Sequence, residues 1–140
     1  MSCELCEQDG GLVVHRDRDW RVVRVEDAAF PAFYRVICNH HVAEFSELLA
    51  PERQRCMNLV TLIERTLLGL LRPTKINLAS LGNVVPHVHW HIVARFDWDS
   101  HFPQPLWGVA QRQLDEPALE RLALSLPELD RAVANAVRAC

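Results

Sequence analysis

Three histidines at alternate positions, His87-Val88-His89-Trp90-His91, are the residues of this 140-residue chain best suited by type and spacing to do chemistry. In an extended strand successive side chains point to opposite faces, so residues two apart share one face. The spacing predicts three imidazoles in a row, with Val88, Trp90 and Ile92 on the reverse side. Imidazole can act as nucleophile, proton carrier or cation near neutral pH. One use of such a row is attack on phosphorus: a neutral ring nitrogen forms a phosphohistidine that water later cleaves. That chemistry needs one tautomer held fixed, and donors beside the oxygens where charge gathers in the transition state. His89, flanked on both sides, is then the candidate nucleophile. A second use is a metal site, with Asp97 and Asp99 just beyond the strand as the nearest carboxylates. A third reading is three structural histidines, each needing partners for its ring nitrogens.

Cys3-Glu4-Leu5-Cys6 has the CxxC spacing of a pair of zinc thiolates, which supplies only half a tetrahedral site. The cysteines number five, and Met1-Ser2-Cys3-Glu4 does not read as a secretory leader. An odd count in that context argues against a disulfide framework. Cys38 and Cys56 lie in apolar runs and read as ordinary buried thiols.

The elements that must position these residues can be read from periodicity. Leu12 to His15 and Trp20 to Val25 read as two strands, with the polar Arg16-Asp17-Arg18-Asp19 as a solvated hairpin turn. Tyr34 to Cys38 is a third strand after the break at Pro31. Residues Glu52 to Leu71 place Cys56, Leu59, Val60, Ile63, Leu67, Leu70 and Leu71 at helical spacing, which predicts one long helix opened by Pro51 and ended at Arg72-Pro73. Lys75 to Ser80 is a fourth strand and His87 to Phe96 a fifth, whose non-histidine face packs on that helix. An irregular stretch holds Trp98, Phe102, Pro103, Pro105 and Trp107. Two helical pieces follow, the first capped by Asp115 and the second opened by the capping-box pattern Ser125-Leu126-Pro127-Glu128. The expected architecture is a single α+β domain: an antiparallel meander of about five strands, one long helix packed on it, and a C-terminal helical segment. Arg95 is expected in a structural ion pair, and His15, His40 and His101 at the surface.

Composition narrows the partners. Apolar residues make up 49% and charged residues 24%, an ordinary globular balance in a chain long enough for one core. The net charge is -3 and no basic patch is visible, which argues against a nucleic-acid polymer as partner. A single phosphate remains within reach of a few imidazoles. The apolar stretch from Met57 to Leu71 contains Glu64 and Arg65 and does not read as a membrane span. The reading is a cytoplasmic protein.

His87-Val88-His89-Trp90-His91-Ile92-Val93-Ala94-Arg95 resembles the signature of the histidine triad (HIT) superfamily, His-x-His-x-His followed by two apolar residues. Asn77-Leu78 resembles the strand before that motif, and Val36 to Val42 resembles the segment before the family's long helix. The likeness spans roughly residues 3 to 108. It implies a HIT-like domain over residues 1–112, with residues 113–140 as its helical extension. It also implies a nucleotide hydrolase or nucleotidyl transferase acting at an α-phosphate of a nucleoside phosphoramidate or dinucleoside polyphosphate. By position His89 matches the nucleophile, His91 the phosphate contact and His87 the residue whose carbonyl orients the central ring; Asn77, Asn83 and Trp107 match ligand contacts. Cys3, Cys6, His41 and His87 resemble the structural zinc set of some bacterial members. No cofactor is expected for catalysis, and a homodimer is implied. Two positions depart from the pattern. Asn83-Val84 stands where many members have Gln-Ser or Gln-Thr, and Ala94 replaces a frequent proline. The missing hydroxyl keeps a second reading open, a nucleotide- or partner-binding module with little catalysis. A metal-dependent hydrolase is a third. A neutral nucleophile predicts a rate that falls as pH drops through roughly 6.5, unless the site shifts that value.

Overall fold

The computed structural model describes residues 2–140. Five antiparallel strands form one sheet: β1 (Leu12–Arg16), β2 (Trp20–Arg24), β3 (Phe33–Cys38), β4 (Lys75–Ala79) and β5 (His89–Arg95). A short α1 (Glu4–Glu7) precedes them, α2 (Ala50–Leu71) joins β3 to β4, and α3 (Leu126–Arg138) closes the chain. The fold is α+β. Its order, β1-β2-β3-β5-β4, corrects the simple meander, because β5 inserts between β3 and β4. The cause is the connection: α2 has 22 residues and spans about 33 Å, so it carries the chain past the neighbouring position to the sheet edge. The hairpin return of β5 then fills the gap.

Alternation, interrupted by a register shift between Val13 and His15 in β1, divides the sheet into two faces. Trp20, Val22, Tyr34, Val36, Ile76, Ile92 and Ala94 point to the core under α2, where they meet Cys56, Leu59, Val60, Ile63 and Leu67. α2 begins where Glu52 accepts from the Leu49 N–H at 2.8 Å. It ends ahead of Pro73 at Arg72, which is held at φ 48 and donates its N–H to the Leu68 carbonyl. α3 starts at Ser125, whose hydroxyl accepts from the Glu128 N–H, as its sequence predicted. Its Leu129, Val133 and Val137 join the same core, and its Asp130 takes hydrogen bonds from Arg24 and Tyr34 across the sheet. Asp115 is not the expected cap: Pro117 holds that position, with no side-chain cap bond. The residue before a proline is biased away from helix, so Glu116 is a poor first helical residue after an Asp115 cap; the chain instead makes a 3-10 turn over Ala118–Arg121.

Among the described residues the opposite face carries no long helix. One end is covered by the N-terminal segment, where Leu5 packs on Val23 and Ile37. The other end is covered by Leu106 and the Phe30 region, packed on Phe33 and Val93. Between these covers the sheet stays open, and His89 and His91 lie there. Among the described residues no helix is long and apolar enough to cross a membrane.

Candidate functional site

β5 begins at His89, two residues later than its sequence suggested. The Val88 backbone still bonds outward, to Cys38 and Val42, and Val88, Trp90 and Ile92 reach the core side as expected. The row of three imidazoles is therefore uneven. His89 and His91 line the open cleft, whereas His87 is buried beside the N-terminal cysteines.

The tautomers follow from the partners. His89 Nδ1 lies 2.5 Å from the His87 carbonyl, which can only accept, so Nδ1 carries the hydrogen and Nε2 keeps a lone pair. His91 Nδ1 lies 3.4 Å from Arg35 Nε, a donor only, so this ring carries its hydrogen on Nε2. The two rings meet edge to face, with centroids 5.0 Å apart. Burial, opposed by the His87 carbonyl, lowers the pKa of His89 below the usual imidazole value. Burial, with Arg35 and His89 adding to it, pushes His91 down to about 3. Both rings are neutral at neutral pH. One presents a lone pair and the other an N–H.

The cleft around them has a volume of about 380 Å³, with Arg35, Asn83, Val84 and Trp107 among its walls. A second cleft of about 450 Å³ shares His91 and Trp107 and continues over Asn77, Val93 and Leu106. Trp107 is half exposed, its ring 5.3 Å from that of His91. Asn83 sits on the loop that Gly82 turns at φ 81. The Asn77 side-chain oxygen accepts from Arg95 at 2.9 Å, which fixes its amide orientation. All three residues expected around a ligand thus border the histidines, directly or through the adjoining cleft. Arg95 also forms the expected ion pair, with Asp99. His101 packs on Phe30 and is bonded to Ser100, and it does not line the cleft. Arg35 was not singled out by its sequence. Its only signal is a cation in an otherwise apolar strand, at the same parity as Phe33 and Ile37.

The CxxC starts at Cys3, the N-cap of α1, and ends at Cys6 within it, an ordered turn that its sequence had not disclosed. Ligand atoms of Cys3, Cys6, His41 and His87 all fall within 4.8 Å of one another. Cys3 Sγ is 3.4 Å from His87 Nδ1, Cys6 Sγ is 3.6 Å from the same atom, and Cys6 Sγ is 3.4 Å from His41 Nδ1. A tetrahedral zinc bound by sulfur near 2.3 Å and nitrogen near 2.0 Å separates its ligand atoms by roughly 3.3–3.8 Å. The residues fit the ion. His87 Nε2 donates to the Cys38 carbonyl at 2.6 Å, so its Nδ1 lone pair points to the cluster, as an orienting outer contact should arrange.

A family model described as the HIT domain matches residues 7–98, more than half of the sequence. The chain belongs to the HIT family. Among solved structures, this HIT protein is similar to a histidine triad protein from Bradyrhizobium japonicum, with 26% identity, 94% of this chain and 90% of that one covered, and a TM-score of 0.70. It shares its fold with a hypothetical histidine triad nucleotide-binding protein from Sulfolobus tokodaii strain 7 (15% identity, 98% and 91% covered, TM-score 0.62). A Zn-bound histidine triad family protein from Mycobacterium smegmatis has the fold too (17% identity, 99% and 95% covered, TM-score 0.63). A search of the curated proteins finds no match to this HIT protein.

Proposed function

We propose that this HIT protein is a nucleotide hydrolase or nucleotidyl transferase acting at an α-phosphate through His89. The observation that carries the reading is the bond between His89 Nδ1 and the His87 carbonyl, which leaves the Nε2 lone pair on a ring lining the cleft. Nε2 attacks phosphorus, the bond to the leaving group breaks with its electron pair, and a nucleotidyl-histidine forms. Water then displaces His89 and the nucleoside monophosphate departs. His91 donates through Nε2–H to a phosphoryl oxygen, where charge develops. Asn83 and Asn77 supply polar contacts, and Trp107 borders the nucleoside. The substrate class is a nucleoside phosphoramidate or a dinucleoside polyphosphate, in keeping with the nucleotide-binding name of the Sulfolobus tokodaii relative. The test is His89→Ala with adenosine phosphoramidate: release of AMP should vanish while the circular dichroism spectrum is unchanged. Full turnover in that variant would sink the reading.

Val84 favours a second reading. It stands in the cleft wall without a hydroxyl to protonate a leaving group, and a chain that binds nucleotides but turns them over slowly would look the same. Binding of AMP without product from any substrate of a nucleotide panel would select it.

Cys3, Cys6, His41 and His87 are the proposed ligands of a structural zinc ion, supported by their spacing and by the Zn-bound Mycobacterium smegmatis relative. The ion would tie the N-terminal segment to the residue that orients His89. A second copy of the chain is the proposed protein partner. β4 is an edge strand whose Leu78 remains half exposed, and light scattering should read twice the 16.0 kDa chain mass.

A further inference from the structure

Arg35 stands directly opposite His91 in the β3–β5 pairing, and its side chain lines the same cleft as His89 and His91. Side chains opposed on one face of an antiparallel pair lie within contact distance. Its Nε–H reaches His91 Nδ1 at 3.4 Å, and Nη1 donates to the Gly10 carbonyl at 3.1 Å. A guanidinium has five N–H groups, so the other three have no protein acceptor among the described residues.

The other sheet arginines are engaged differently. Arg16 is paired with Asp9, Arg24 with Asp130 and Arg95 with Asp99, while Arg21 reaches three backbone carbonyls and Asn39. Among the described residues no carboxylate forms an ion pair with Arg35, although Glu4 lies on the wall of the same cleft. A partly buried cation without a counter-ion is unfavourable unless an anion arrives to complete it. Among the residues lining the cleft, Arg35 is the one lysine or arginine. A phosphate entering it would meet neutral donors and one guanidinium. That group matches phosphate oxygens in a fork, with two parallel N–H bonds.

We propose that Arg35 binds the phosphate group of the substrate through its free N–H groups and, through Nε, holds His91 as the Nε2–H donor. The proposal rests on the nucleotide reading above. It makes Arg35 a substrate contact and, for His91, a positioning residue.

The experiment compares wild type, Arg35→Met and Arg35→Lys in two assays, with adenosine phosphoramidate turnover measured throughout. Calorimetric titration with AMP and with adenosine reads the phosphate contact. In Arg35→Met, AMP should bind roughly tenfold more weakly or worse while adenosine binding is unchanged, because the loss is confined to the charged contact. Arg35→Lys keeps a charge but has no Nε–H donor for His91, so it should recover much of the AMP affinity and little of kcat. Nitrogen-15 NMR of His91 reads the tautomer: Nδ1 unprotonated in wild type, mixed in both variants. If Arg35→Met fails to fold, Arg35→Lys alone decides through the kcat loss and the His91 spectrum. Wild-type AMP binding, turnover and His91 tautomer in the variants overturn the proposal and leave the nucleotide reading standing. A wild-type protein that neither turns over the phosphoramidate nor prefers AMP to adenosine removes both.

Discussion

Replacing Asp99 with alanine should cost this protein a large part of its stability and loosen one wall of the cleft. Asp99 and Arg95 are each about 2% exposed. The carboxylate takes Nε at 2.8 Å and Nη2 at 3.0 Å, and also accepts from the Phe96, His101 and Phe102 N–H groups. Burial alone would raise the Asp99 pKa, but Arg95 and those N–H groups outweigh it and hold it below the usual carboxylate range. Removing one partner of such a pair strands a buried charge, at about 3–5 kcal/mol. With unfolding entropy near 2.1 cal/mol/K per residue, a loss of about 4 kcal/mol lowers Tm by roughly 10–15 °C. Urea denaturation followed by tryptophan fluorescence measures it. The double variant Arg95→Met/Asp99→Ala removes the stranded charge and should recover at least part of the loss. The same carboxylate organises the start of the segment that carries Trp107, so KM for the nucleotide should rise more than kcat falls. A single variant within about 1 kcal/mol of wild type, or a double variant less stable than the single, would refute the reasoning.

Lowered imidazole pKa values move the acid limb of kcat/KM: it should lie below pH 6.5, and a limb at or above 6.5 would contradict a buried neutral His89. Stability carries the same sign. As pH falls below about 6.5 the unfolded chain gains protons on its histidines that buried His91 refuses until about 3, so stability drops by up to ~1.4 kcal/mol per pH unit for that ring alone. Val84 is 91% exposed, so Val84→Ser should leave Tm unchanged and speed an amine leaving group more than a pyrophosphate one; equal effects on both would show that the hydroxyl does not protonate the leaving group. Purified protein should carry near one zinc per chain, and Cys6→Ser should lower that ratio and the Tm together, as read by elemental analysis and thermal melts.

Much of the cleft was legible because a strand's repeat of two is rigid. It placed His89 and His91 on one face and Val88, Trp90 and Ile92 under α2 without reference to any partner. What the repeat cannot supply is the identity of the neighbour across the ladder. Arg35 meets His91 only because β5 lies beside β3, and that order depends on how far α2 carries the chain. The bond joining Arg24 and Tyr34 to Asp130 is hidden for the same reason, since its ends are about a hundred residues apart in the sequence. Spacing alone showed half of the zinc-type cluster, in Cys3-Glu4-Leu5-Cys6; its imidazoles come from two other segments, and only the family resemblance named His41 and His87. Asp115 misled because a local cap preference was read without the proline two residues on.

The unequal partners of the three imidazoles set a limit on transplantation. His-x-His-x-His grafted onto another antiparallel strand would reproduce the alternation and lose nearly everything that tells the rings apart. The Cys38 carbonyl, the bend that turns the His87 carbonyl back to His89 and the guanidinium of Arg35 all lie outside the motif's side chains. Three rings free to rotate and to exchange tautomers would compete for the same transition-metal ion, and the graft would yield a chelating stripe. A designer who wants a nucleophile would have to import the neighbouring strand with the motif.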